Sequence, residues 1–165
     1  MTEYKLGVDI GGVIIDRIND SKDTSFFSDN YLNTTAVPGA FEYLSKLNKG
    51  IFKDKLFIVS KCGENNQRKS LEWMTHTGFY EITGIPKERL HFCRERSGKG
   101  PICAKIGITH FIDDRLEVLK YMIDYVDNLY LFKPQESEIK GWEGFLNYVK
   151  RVNNWKEIAD MLKNI

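Results

Sequence analysis

Apolar residues along this chain follow two alternating patterns. Short apolar runs, typical of buried strands, occur at residues 4–8, 56–60, 89–93, 108–112 and 129–132. Between them, apolar residues at helical spacing predict helices at about residues 38–49, 65–78, 101–106 and 116–125. A last stripe predicts a C-terminal helix packed on the core, and it consists of Trp155, Ile158, Met161, Leu162 and Ile165.

The alternation of strands and helices predicts parallel pairing with right-handed crossovers. We therefore expect an α/β fold: a three-layer, doubly wound, Rossmann-like domain with a mainly parallel five-stranded sheet and a site at the C-terminal edge of its strands. The 165 residues predict one domain spanning 1–165. The segments 17–37 and 60–99 are too short for a second folded unit, so we expect no sizeable cap. Phe26, Phe27 and Tyr31 are expected to pack a short helix.

Charge and composition narrow the class of protein. A net charge of +1 with scattered basic residues argues against nucleic-acid binding. No apolar run is long enough to span a bilayer and the N-terminus does not resemble a signal peptide, so we expect no membrane association and a cytoplasmic location. Cys62, Cys93 and Cys103 lack metal-ligand spacing and predict reduced thiols. The oligomeric state is left open.

Polar residues end three of the predicted strands. Asp9 follows the first strand and precedes Gly11 and Gly12, Ser60 ends the second, and Asp113 with Asp114 ends the fourth. Adjacent carboxylates are costly unless a cation neutralises them. The strand ends therefore predict a cation-binding site, with Asp9 as the candidate nucleophile.

These motifs together resemble the haloacid dehalogenase superfamily of phosphohydrolases over nearly the whole chain. They are an Asp-x-x-Gly-Val motif at Asp9, a strand-final Ser60, a Lys that opens the helix before the last motif, and the pair Asp113-Asp114. The resemblance implies that Asp9 attacks phosphorus and forms an aspartyl-phosphate, which water then hydrolyses. The implied substrate is phosphorylated and, with an uncapped site, can be bulky.

The resemblance also implies a cofactor and the residues that hold it. Mg²⁺ would be bound by Asp9, the carbonyl group of Gly11, and Asp113 with support from Asp114. Lys99 at a helix N-terminus is favoured over Lys105 inside the helix as the phosphate-binding lysine. The implied phosphate-binding residues are Ile10, Gly11, Ser60, Lys61 and Lys99.

One position departs from the family pattern. Active members usually carry a second Asp two residues after the nucleophile, as general acid and base, but here that residue is Gly11. Losing such a group costs on the order of a hundred to ten-thousand-fold in rate. The sequence therefore predicts weak turnover, with good leaving groups such as acyl phosphates least affected, and leaves open a catalytically silent binding protein.

Two other interpretations come from short motifs. Cys62 and Arg68 have the Cys-x5-Arg spacing of cysteine-based phosphatases, although Glu64 would place a negative charge in the anion-binding loop. Residues 6–12 also resemble the opening phosphate motif of sugar kinases with the actin-like fold. Val13 stands where those proteins have Thr, and the chain is short for their two domains.

Overall fold

A computed structural model describes residues 3–17 and 29–165. The six strands are β1 (Leu6–Val8), β2 (Leu56–Lys61), β3 (Leu90–Cys93), β4 (His110–Asp113), β5 (Asn128–Phe132) and β6 (Val149–Val152). The α-helices are α1 (Ala40–Lys49), α2 (Glu64–Thr77), α3 (Phe79–Thr83), α4 (Lys99–Ile106), α5 (Leu116–Lys120), α6 (Glu136–Ile139) and α7 (Trp155–Leu162). None of the helices in these two ranges has the length and apolarity needed to cross a membrane.

The strands form one parallel sheet in the order β3-β2-β1-β4-β5-β6. Strand order reverses beside β1, because β2 and β3 lie on one side of it and β4, β5 and β6 on the other. In doubly wound sheets the crevice at this reversal, outside the carboxyl ends of the strands, is where ligands bind. The ends of β1 and β4 define that crevice here.

Buried apolar residues form one cluster on each face of the sheet. One cluster includes Leu44 of α1, Trp73 of α2 and Trp155 of α7. The other includes Cys103 of α4 and Leu119 of α5. Helices therefore cover both faces, which confirms the expected three-layer architecture.

The sheet has six strands rather than the expected five. The unpredicted strand, β6, pairs with β5 at the edge of the sheet and has the sequence Val-Lys-Arg-Val. Lys150 and Arg151 are exposed, so the strand has no continuous apolar run for a periodicity argument to find. Charged residues on an edge strand also oppose pairing with another chain.

The helix boundaries differ from the sequence expectation at several ends. Helix α4 begins at Lys99, two residues before Pro101, and α5 ends at Lys120, followed by hydrogen-bonded turns up to Val126. In the C-terminal stripe, Met161 and Ile165 are 36% and 39% exposed, so the expectation that they pack on the core was wrong. Helix α3 was not expected.

The aromatic residues of the segment after β1 are described only in part. Tyr31 lies in a short 3-10 helix, Tyr31–Asn33, and its hydroxyl donates a hydrogen bond to Glu72 on α2. Tyr31 therefore contacts α2, which has 14 residues and is not the short helix that was expected. Phe26 and Phe27 lie outside the described residues.

Candidate active site

Three carboxylates meet where the strand order reverses. Val8 and Ile112 are register partners, and the backbone N–H of Asp9 donates to the carbonyl of Ile112 at 3.0 Å. Asp9 therefore lies beside Asp113, which ends β4. Carboxylate oxygens of Asp9, Asp113 and Asp114 lie within 4.8 Å of one another, and the three residues are 8%, 1% and 2% exposed.

Lys99 binds two of these carboxylates. Its ammonium donates to Oδ1 of Asp9 at 2.8 Å and to Oδ2 of Asp113 at 2.7 Å, and the residue is 2% exposed. Lys99 reaches them because it is the first residue of α4, whose N-terminus faces the strand ends. Lys105, near the end of the same helix, is exposed. The structure thus brings Lys99, and not Lys105, to the carboxylates.

Burial and mutual repulsion shape the ionisation of the cluster. Burial, reinforced by the charge of Asp113, raises the pKa of Asp9 to about 6, although Lys99 opposes the shift. Burial, reinforced by the charges of Asp113 and Asp9, raises the pKa of Asp114 well above its ordinary value. Burial disfavours the charge of Lys99, but Asp113 and Asp9 outweigh it and raise its pKa. Burial is thus the main reason why Asp9 and Asp114 hold their protons more tightly, and the repulsion between neighbouring carboxylates adds to it.

The residues present fit a divalent cation. Besides Lys99, Arg17 lies against the cluster, with its NH2 group 3.0 Å from Oδ2 of Asp114, and Arg115 carries a further positive charge near Asp114. With all three carboxyl groups ionised, the cluster carries one more charge than its contacts with Lys99 and Arg17 balance. Oδ2 of Asp114 is buried, and its contact with Arg17 does not have the geometry of a hydrogen bond. Clustered carboxylate oxygens are the hard ligands that Mg²⁺ prefers.

The two glycines after Asp9 have different surroundings. Gly12 has φ +78°, and a Cβ atom there would lie 2.1 Å from Oδ2 of Asp114. A Cβ atom on Gly11 would meet no atom of the described residues within 4 Å, and its φ is not in the left-handed region. Gly12 is therefore required by packing, whereas Gly11 leaves an open position beside Asp9.

A cavity of about 350 Å³ lies over the cluster. It brings together every residue that the sequence proposed for the site, namely Asp9, Ile10, Gly11, Ser60, Lys61, Lys99, Asp113 and Asp114. Ser60 is the penultimate residue of β2 and is 6% exposed, so the strand runs one residue further than the sequence predicted. Lys61 ends the strand and is exposed.

Sequence reasoning missed several polar residues that also line this cavity: Asp16, Arg17, Asn66, Ser70, Arg96 and Arg115. Arg96 forms an ion pair with Glu117, and NH2 of Arg115 lies 3.5 Å from Oε1 of Glu138. Polar residues in loops and on helices are normally solvated, so no pattern separates these from ordinary surface residues. For Asp16 a signal existed, because it follows directly on the apolar run after Gly12.

The Cys-x5-Arg interpretation receives no support from the geometry. Cys62 lines the cavity, but Arg68 does not. Helix α2 begins at Glu64, so Arg68 lies on the helix and outside the cavity. The Arg68 guanidinium donates instead to Glu72 at 3.0 Å. Burial raises the pKa of the Cys62 thiol, against the opposing charge of Arg94, so it is not poised as a thiolate.

The fold is similar to those of solved phosphatases. D,D-heptose 1,7-bisphosphate phosphatase from B. bronchiseptica, complexed with magnesium and phosphate, matches with a TM-score of 0.68 and 14% identity over 97% of this chain and 98% of that chain. A protein from Burkholderia xenovorans LB400, classed as a haloacid dehalogenase-like hydrolase, matches with a TM-score of 0.62 and 11% identity over 98% and 99%. Cobalt-bound deoxy-D-mannose-octulosonate 8-phosphate phosphatase from Haemophilus influenzae matches with a TM-score of 0.55 and 14% identity over 98% and 88%.

At these identities the likeness establishes the fold alone, a Rossmann-like α/β fold that this chain shares with the three proteins. No family model and no curated protein sequence matches the chain.

Proposed function

We propose that this protein is a magnesium-dependent phosphohydrolase that uses Asp9 as its nucleophile. The observation that carries the proposal is the buried cluster of Asp9, Asp113 and Asp114, held by Lys99 at the strand-order reversal. A purely structural pair of Lys99 with one carboxylate would not require two further buried carboxylates beside it.

Each residue then has a defined part in phosphoryl transfer. A carboxylate oxygen of Asp9 bonds to phosphorus as the bond from phosphorus to the leaving oxygen breaks. Lys99 holds that carboxylate in place and offsets its repulsion from the phosphoryl oxygens. Ser60, Ile10, Gly11 and Lys61 would bind those oxygens, and their place on the cavity wall supports this role. Water then attacks phosphorus, and inorganic phosphate leaves with Asp9 restored.

The proposed metal site uses Asp9, Asp113, the carbonyl group of Gly11, and Asp114 in support. A bound Mg²⁺ would neutralise charge on the phosphoryl group and on the attacking carboxylate. The proposal is supported by the close grouping of three buried carboxyl groups, whose oxygens lie within 4.8 Å of one another. It is also supported by two of the structures with this fold, one of which holds magnesium and phosphate and the other cobalt.

We further propose that the site has no cap domain and accepts bulky phosphorylated substrates. In support, α2 and α3, which connect β2 to β3, direct Trp73, Met74 and Phe79 into the core rather than over the cavity. A phosphoserine peptide should then be hydrolysed at least as fast as free phosphoserine. A marked preference for the free amino acid would contradict an open site.

Two other functions remain candidates, each with one supporting feature. Gly11 supports a catalytically silent protein that binds a phosphorylated ligand, because no acid stands at that position. The position of Cys62 on the cavity wall is the remaining support for a thiol nucleophile. Both can be separated from the proposed chemistry by the same assay.

That assay is release of inorganic phosphate from acetyl phosphate and para-nitrophenyl phosphate in the presence of Mg²⁺. These leaving groups need little protonation, so turnover should not depend on an acid at position 11. We expect activity in the wild type and in Cys62→Ser, and none in Asp9→Asn. Asp124→Asn, an exposed carboxylate outside the cavity, is the matched control. Activity that survives Asp9→Asn but not Cys62→Ser would favour the thiol, and no activity in any protein would favour the binding function.

A further inference from the structure

Hydrolysis of phosphate esters of ordinary alcohols requires a proton donor, a role that Asp9, Lys99, Ser60 and the proposed metal ligands do not fill. The departing oxygen becomes an unstable alkoxide unless a proton reaches it as its bond to phosphorus breaks. Four carboxyl groups of the described residues line the cavity, and Asp9, Asp113 and Asp114 are committed to the cation cluster. We propose that the fourth, Asp16, donates this proton; the inference rests on the proposed phosphohydrolase activity.

The chain folds back so that the residue before Asp16 pairs with Gly11. The N–H groups of Ile14 and Ile15 both donate to the carbonyl of Ile10, at 2.8 and 3.0 Å, and the N–H of Gly12 donates to the carbonyl of Ile15 at 2.8 Å. Ile15 and Gly11 form a bridge pair. Cα atoms of paired residues lie about 5 Å apart. Asp16, the next residue, therefore enters the cavity close to position 11.

The backbone around Asp16 is also held from its other side. Its N–H donates to the carbonyl of Thr35 at 2.9 Å, and Val37 N–H donates to the carbonyl of Ile14 at 2.8 Å. Ile15 pairs with Ala36 in an antiparallel bridge. A proton donor must keep a fixed distance to the reacting oxygen, and these contacts fix the backbone that carries Asp16.

The space that a donor and a leaving group would share is available. A Cβ atom on Gly11 would have no atom of the described residues within 4 Å, and the Asp16 side chain lines the same cavity. The absence of a side chain at position 11 therefore leaves room for a carboxyl group arriving from five residues further along the chain.

The proton balance closes over one cycle. Protonated Asp16 gives its proton to the leaving oxygen as the Asp9–phosphorus bond forms and the ester bond breaks. The Asp16 carboxylate then takes a proton from the water that attacks phosphorus, and phosphate leaves. Asp16 is protonated again and Asp9 is a free carboxylate, so no other reactant is consumed.

The test compares a poor and a good leaving group in the Mg²⁺-loaded protein. In Asp16→Asn, kcat/KM for glycerol phosphate should fall by about 100-fold or more, whereas kcat/KM for para-nitrophenyl phosphate should change by less than about three-fold. Asp124→Asn should leave both values unchanged. A structural defect would lower both, so the ratio of the two values separates chemistry from folding.

A second variant removes the remaining ambiguity. Adding Gly11→Asp to Asp16→Asn should restore much of the glycerol phosphate activity, because the open position can hold a replacement acid. Equal losses for both substrates, no loss for either, or a wild type that hydrolyses only para-nitrophenyl phosphate would overturn the inference. If Asp9→Asn still abolishes activity in those cases, the proposed function stands and only the role of Asp16 fails.

Discussion

A Cβ atom on Gly12 would lie 2.1 Å from Oδ2 of Asp114, so these two residues pack too closely for any side chain at position 12. Gly12 has φ +78°, a backbone conformation that L-residues with side chains rarely adopt. Asp114 is 2% exposed and belongs to the carboxylate cluster. The turn after Asp9 and the acidic residues at the end of β4 therefore pack in direct contact.

This contact predicts different outcomes at the two neighbouring glycines. Gly12→Ala should lower the free energy of unfolding by about 2 kcal/mol or more, from the left-handed backbone and the displacement of Asp114. Gly11→Ala, which meets open space, should cost less than about 1 kcal/mol. Urea unfolding of both variants measures the difference. Equal costs would show that Gly12 is not constrained as described.

The buried lysine provides a second comparison within one helix. Lys99→Met should destabilise the protein by about 3–5 kcal/mol, because it leaves Asp9 and Asp113 buried without their shared cation. Lys105→Met removes an exposed charge from the same helix and should change stability by no more than about 0.5 kcal/mol. Chemical denaturation of both variants, compared at equal m-values, measures the two changes in the free energy of unfolding. Similar effects at both positions would argue against a special role for Lys99.

The cation site predicts metal-dependent stability. Mg²⁺ at a hundred times its dissociation constant should stabilise the folded protein by about 2.7 kcal/mol, since binding requires the assembled cluster. Asp113→Asn keeps the shape of a residue that is 1% exposed but removes its charge, and it should abolish most of this gain. Calorimetric titration measures Mg²⁺ binding and thermal unfolding measures the gain in stability, with Asp124→Asn as the control. A gain that survives in Asp113→Asn would place the metal elsewhere.

His110 predicts acid sensitivity that is independent of the site. It is 2% exposed, is surrounded by the rings of Tyr4, Phe52 and Tyr130, and has Lys150 nearby. Burial, assisted by the charge of Lys150, lowers the pKa of His110 from 6.5 to about 4. Between pH 6.5 and about 4, His110 is therefore protonated in the unfolded chain but neutral in the folded protein. The resulting stability, about 3 kcal/mol, is complete above pH 6.5 and is lost as the pH falls toward 4.

Replacing this histidine tests the assignment. His110→Gln should flatten the fall in unfolding free energy between pH 6.5 and 4, whatever its effect at neutral pH. His76→Gln, at an exposed position on α2, should leave the slope unchanged. An unchanged slope in His110→Gln would show that other groups cause the acid sensitivity.

The location of the site could be predicted from the sequence because it depends on strand ends. Asp9 and Asp113 each follow a buried apolar run, and parallel pairing places such ends at one edge. Helix polarity likewise favoured Lys99 over Lys105, although α4 begins two residues earlier than Pro101 suggested.

What the sequence could not provide was register and loop geometry. The position of Lys99 between two carboxylates depends on distances across three elements, which no local pattern encodes. Asp16 enters the cavity through the fold of the turn after Asp9 and its pairing with a distant segment. Strand β6 was missed because Lys150 and Arg151 replace the apolar run that marks the other strands.

The most direct test of the account is ¹⁹F NMR of the protein with Mg²⁺ and beryllofluoride, which mimics a phosphoryl group bound to a carboxylate and requires no knowledge of the substrate. The account predicts bound fluoride resonances in the wild type that need Mg²⁺ and vanish in Asp9→Asn, since Asp9 is the carboxylate that accepts the phosphoryl group. Asp124→Asn should give the wild-type spectrum. Bound resonances that persist in Asp9→Asn, or none in the wild type, would contradict an aspartyl-phosphate on Asp9.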